Sequence, residues 1–190
     1  MELEARFTAT RPARKRGSFA TPAFLAFLAL LAVQGFHLVE HITQVIQRYF
    51  LAIPNGSGIL GSVADIEPVH FIYNAGYLGL LAATYFMLGL GRNGAHEVGR
   101  PAFALLTFTL AFQAFHVLEH VFKMIQYYQF GFQNGTGGIF GIGQGGLAPL
   151  FPIPLLHLGY NAVGYLPAVL AFALLVHRGS FRRRDMASRH

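Results

Sequence analysis

Four apolar runs, at about residues 19–50, 69–90, 101–130 and 151–177, constrain this chain more than any other feature. Each reaches the ~20 residues that an α-helix needs to cross a ~30 Å hydrocarbon core. A backbone in lipid must satisfy its own hydrogen bonds, which leaves helices as the reading for runs of this length. Composition agrees: 54% of the residues are hydrophobic and only 12% are charged, against roughly 25% charged in a soluble domain. The first run is longer than the ~7–15-residue apolar core of a signal peptide and is read as a membrane helix.

The basic residues flank these runs. Five Lys/Arg precede Thr21, Arg92 and Arg100 lie between the second and third runs, and five more lie from Arg178 onward, whereas 51–68 and 131–150 contain none. The positive-inside rule then places both termini and the central connection in the cytoplasm and the two long loops outside, in a bacterial plasma membrane. The Arg182-Arg183-Arg184 tail is a topology signal or a contact for anionic lipid, and the net charge of +6 is no footprint for nucleic acid. Cysteine is absent, so any metal must be held by nitrogen and oxygen.

Sliding the sequence by 79 positions lays Pro22-Ala23-Phe24 on Pro101-Ala102-Phe103, and Gln34, His37, Glu40, His41 and Gln47 on Gln113, His116, Glu119, His120 and Gln126. Asn55-Gly56-Ser57-Gly58 echoes Asn134-Gly135-Thr136-Gly137, after which the second loop is about eight residues longer. His70, Tyr73 and Asn74 then match His157, Tyr160 and Asn161. The expected fold is therefore an all-α integral membrane bundle of four transmembrane helices, made from two tandem parallel hairpin repeats related by an axis along the membrane normal. Its parts are a basic segment (1–18), repeat 1 (19–90), a cytoplasmic loop (91–100), repeat 2 (101–177) and a basic tail (178–190). The glycine-rich loops lack the Lys and Ser/Thr of a phosphate cradle and read as turns or lids.

Positions i, i+3 and i+4 share a helix face, so His37, Glu40 and His41 project together, as do His116, Glu119 and His120. Counting ~1.5 Å per residue from Thr21 puts His37 roughly 24 Å up, in the outer third of the membrane. His70 and His157 open the descending runs at that level. Ionisable residues inside a bilayer pair, bind ions or do chemistry. The expected metal ligands are His37, Glu40, His41, His70, His116, Glu119, His120 and His157. Gln34, Asn74, Gln113 and Asn161 are expected to hydrogen-bond them, with Tyr73 and Tyr160 as catalytic candidates beside the metal. Lys123 and Arg48 are read as snorkelling residues outside the site.

Two imidazole-rich donor sets suit two metal ions, iron first, with zinc and copper as alternatives. Inward-facing His and Glu from four helices are also how di-iron bundles are built. The sequence thus points to a membrane oxidoreductase of the oxygenase or oxidase type, acting on a lipidic or apolar substrate with an external electron donor. Competing readings are a b-type bis-histidine haem carrier and a membrane zinc hydrolase.

Overall fold

Proline sets where the long helices begin. In the computed structural model, α1 (Pro22–Tyr49), α2 (Glu67–Met87), α5 (Arg100–Phe130) and α6 (Ile153–Arg178) each carry one in their first turn, where its missing N–H leaves no hydrogen bond unmade. The structure describes residues 22–63, 65–131, 138–139 and 153–181. The basic segment 1–18, nearly all of the basic tail and most of the 131–150 loop lie outside them. Among the described residues every element is helical.

The connection expected at 91–100 is not an open loop. Two single-turn helices, α3 (Leu90–Asn93) and α4 (Ala95–Val98), fill it, separated by Gly89, Gly94 and Gly99, all at positive φ. Leu90 and Val98 are buried in the core, and Arg178 at the end of α6 donates to the Val98 carbonyl at 3.4 Å.

The four long helices form a ring: α1 packs on α2 and α6, and α5 packs on the same two. One end of the bundle is apolar, with Phe27, Leu30, Leu81, Leu106, Ala171 and Leu175 fully or almost fully buried and Phe24, Phe27, Phe172 and Phe181 in mutual ring contact. Toward the other end the interior turns polar. On α1 the buried positions are Gln34, His37, Glu40, His41 and Gln44, whereas Val33, Phe36, Val39, Ile42 and Ile46 are exposed. Polar side chains inside and apolar ones outside reverse the pattern of a helix in water and fit one in lipid.

Among the described residues three helices, α1, α5 and α6, are long and apolar enough to cross a membrane. The fourth, α2, is 21 residues long, but Glu67, His70, Tyr73 and Asn74 in its first two turns lower its hydropathy. Those are the residues through which it enters the site.

Candidate metal centre

All six histidines of the repeated motifs meet at one level of the bundle. Rings one turn apart on the same helix lie close, His37 to His41 at 4.5 Å and His116 to His120 at 4.7 Å between centroids. Contacts between helices follow a near-symmetric pattern: His41–His70 and His120–His157 at 5.7 and 5.9 Å within a repeat, His41–His157 and His70–His120 at 5.5 and 6.2 Å between repeats. Five of the six residues are buried, and His157 is half-buried.

Neighbouring side chains orient the rings. Gln44 Oε1 accepts from His41 Nδ1 at 2.8 Å, which turns the lone pair of His41 Nε2 toward His37 Nε2, 3.2 Å away. Glu67 Oε1 accepts from His120 Nδ1 at 2.5 Å, while Asn74 Nδ2 donates to His120 Nε2 at 3.1 Å. Lys123 Nζ donates to His157 Nε2 at 2.6 Å and lies 4.0 Å from Glu67 Oε2. His116 differs from these: both its ring nitrogens are buried without a hydrogen-bond partner among the described residues.

Below the histidines, each repeat reaches into the other. Gln34 Nε2 donates to Asn161 Oδ1 at 2.7 Å and Gln113 Nε2 to Asn74 Oδ1 at 3.1 Å. Each asparagine is held in turn by donating to the carbonyl of the histidine one turn before it, His70 or His157, at 2.9 Å in both cases.

Glu40 and Glu119, expected to be ligands, are engaged by the loops that follow α1 and α5. Glu40 Oε2 accepts from Ile59 N at 2.8 Å and its Oε1 from Leu60 N at 3.1 Å, and Glu119 Oε2 accepts from Ile139 N at 2.7 Å. Gly58, at φ 79°, and Gly138, at φ 81°, bring these amides to the carboxylates, and a Cβ on either would stand 2.0 or 2.1 Å from a carboxylate oxygen. Gln47 and Gln126 complete the pattern by accepting from the Gly58 and Gly138 amides. In this contact Gly138, not Gly137, occupies the place of Gly58, so the second loop has gained a residue before its carboxylate contact.

Tyr73 stacks on His37 with centroids 4.3 Å apart, and its hydroxyl donates to the Val33 carbonyl of α1. Tyr160 lies 4.8 Å from His116 with its ring tilted by 49° rather than stacked. Between α1, α2 and the first loop a cavity opens, lined by Phe36, His37, Glu40, Gln44, Leu60, Asp65, Val69, His70 and Tyr73. Asp65 stands at its edge, 3.8 Å from His70 Nε2, with Gln44 Nε2 donating to it at 3.3 Å. Burial, then the nearby Glu40 carboxylate, raises its pKa above the usual range, and the Gln44 hydrogen bond opposes the shift.

Glu67 and Lys123 were not expected in the site. Glu67 lies just before the second apolar run, and Lys123 resembles an interfacial residue at a helix end; both point inward and are only 12% exposed. The histidine register carried the signal for Lys123, since it lies three residues after His120 and therefore on the same face. Among the described residues no group of three or more His, Asp or Glu side chains is arranged to hold a metal ion as it stands. No protein-family model, curated protein or solved structure matches the chain.

Proposed function

We propose that this chain is a multi-pass membrane metalloprotein in which α1, α2, α5 and α6 cross the bilayer as two parallel hairpins, with the histidine layer toward the outer face. In this reading His37, His41 and His70 form one donor set and His116, His120 and His157 the other, and the bound metal serves an oxidoreductase acting on an apolar substrate. The observation that carries the reading is His116. A buried polar group without a partner costs roughly 1–3 kcal/mol, and among the described residues neither ring nitrogen of His116 has one, inside a cluster of five other imidazoles.

The donor geometry supports it. Two imidazoles on a tetrahedral ion, with nitrogens ~2.0–2.1 Å from it, stand about 3.3 Å apart at the nitrogens and about 5 Å apart at the ring centres. His37 and His41 have their Nε2 atoms 3.2 Å apart, and the inter-helix ring distances of 5.5–6.2 Å leave side-chain rotation, without backbone movement, to gather a ligand set. Gln44 and Glu67 accept from the Nδ1 groups of His41 and His120, as outer partners of ligating histidines do. Glu40 and Glu119 are left outside the ligand set in this reading, since loop amides donate to both oxygens of Glu40 and to Oε2 of Glu119.

Imidazole donors favour iron, copper or zinc over calcium and magnesium. A redox metal, once bound, would supply the electron-transfer and oxygen chemistry, with electrons from an external donor. The chain's own contribution is the approach: Phe36, Leu60 and Val69 line an apolar path to His37 and His70.

Elemental analysis and absorption spectra of protein purified from native membranes in mild detergent test this. A transition metal at one or more ions per chain, lost in His41→Ala, is expected. A Soret band near 400–430 nm would replace the reading with haem, and protein without metal would end it.

A further inference from the structure

The two repeats supply the same residues to the centre at position after position, which makes their differences informative. Gln34/Gln113, His37/His116, Glu40/Glu119, His41/His120, Gln47/Gln126, His70/His157, Tyr73/Tyr160 and Asn74/Asn161 are identical pairs. Among the mismatches, two involve charged residues that point into the cluster. The register that lays His41 on His120 lays Gln44 on Lys123, and the one that lays His70 on His157 lays Glu67 on Pro154. Both Lys123 and Glu67 lie beside the second donor set.

These changes have opposite consequences in the two halves. In the first, Gln44 accepts from His41 Nδ1 and leaves the Nε2 lone pair directed at the cluster. Asp65 adds a carboxylate at the edge of the cavity that His37 and His70 line. In the second, a lysine nitrogen has donors and no acceptor toward a ring nitrogen, so the 2.6 Å contact with Lys123 occupies the His157 Nε2 lone pair. Asn74 Nδ2 occupies that of His120 Nε2. A dication on this side would also stand against the lysine cation, with Glu67 as the carboxylate between Lys123 and His120.

We infer that the centre holds one metal ion, bound on the His37, His41 and His70 side, and that Lys123 is a built-in cation taking the place of a second. His116 is the histidine of the second set whose ring nitrogens have no hydrogen-bond partner among the described residues, and it is the one left available to that ion. The inference rests on the reading that these histidines bind metal, and it replaces the two ions suggested by the repeat with one.

The test is zinc(II) titration of the full chain, stripped of metal in mild detergent, with bound zinc counted by elemental analysis. Wild type should bind one zinc per chain, and Lys123→Gln, which restores the residue found in the first repeat, should bind two. His37→Ala should weaken binding of the single ion at least tenfold. Should Lys123→Gln fail to fold, Lys123→Met removes the same cation and should likewise raise the count. Two zinc ions in wild type would overturn the inference while leaving the metal centre standing. A count of one in folded Lys123→Gln would overturn it as well. No zinc in any variant would overturn the metal reading itself.

Discussion

Gly58 and Gly61 allow the carboxylate contact of the first loop to be separated from backbone strain. Both sit at positive φ, 79° and 76°, but a Cβ on Gly58 would lie 2.0 Å from Glu40 Oε1, whereas one on Gly61 meets nothing within 4 Å. Alanine at either site should cost about 1–2 kcal/mol for holding an L-residue in the left-handed region. At Gly58 the methyl must also displace the Glu40 carboxylate from Ile59 N and Leu60 N. Hydrogen bonds to a charged group are worth roughly 1.5–3 kcal/mol each, and partial re-solvation of the freed groups at the loop surface recovers some of this. Gly58→Ala should therefore lose about 2–4 kcal/mol more than Gly61→Ala. For a chain of this size, at ~2–4 °C per kcal/mol, the two melting temperatures should differ by roughly 5–15 °C. Thermal unfolding in one detergent, followed by circular dichroism, gives the comparison, and proteolysis between residues 51 and 66 should accelerate only in Gly58→Ala. Equal melting temperatures would refute the anchoring role assigned to Glu40.

Gln34→Leu and Asn161→Leu should be coupled by about 0.6–1.7 kcal/mol in a double-mutant cycle, and additive effects would mean that their 2.7 Å hydrogen bond contributes nothing net. Val63 is 84% exposed in the first loop, so Val63→Cys should react with an impermeant thiol reagent on intact cells, whereas labelling only after lysis would invert the proposed topology. Asp65 has its pKa raised in the folded state, so the fold binds that proton more tightly than the unfolded chain does. Its contribution to stability is therefore present below the ordinary aspartate pKa and is lost as pH rises through the raised value. Metal-free Asp65→Asn should be more stable than wild type at neutral pH and should lose that advantage in acid; a difference independent of pH would contradict the assignment.

Helical periodicity made the meeting of the histidines readable in advance, because matched i, i+3, i+4 faces on repeated helices can converge only in the bundle interior. The glutamines and asparagines, expected to hydrogen-bond the histidines, pair with one another across the repeats, and Asn74 also reaches the His120 ring. Glu40 and Glu119 show where that reasoning stops: a face tells which side a carboxylate points to, but the partner here is loop backbone, whose path depends on Gly58 and Gly138. Lys123 shows a second limit. A lysine near a helix end can extend toward water or fold back, and only the inward-facing Glu67 and His157 decide which. Helix α2 is the third case, since its polar first turns serve the site and at the same time weaken its signal as a membrane span.

The crossed pairing of glutamines and asparagines bears on how the molecule is assembled. Gln34 pairs with Asn161, and Asn74 with Gln113, so in the proposed topology the first hairpin would enter the bilayer with amides whose partners lie in the second. Neither hairpin would then be a self-sufficient unit. Expressed alone, each should seek a second copy of itself, and the two halves supplied as separate chains should find one another, so the duplication would have turned an ancestral partnership between molecules into one within a single chain.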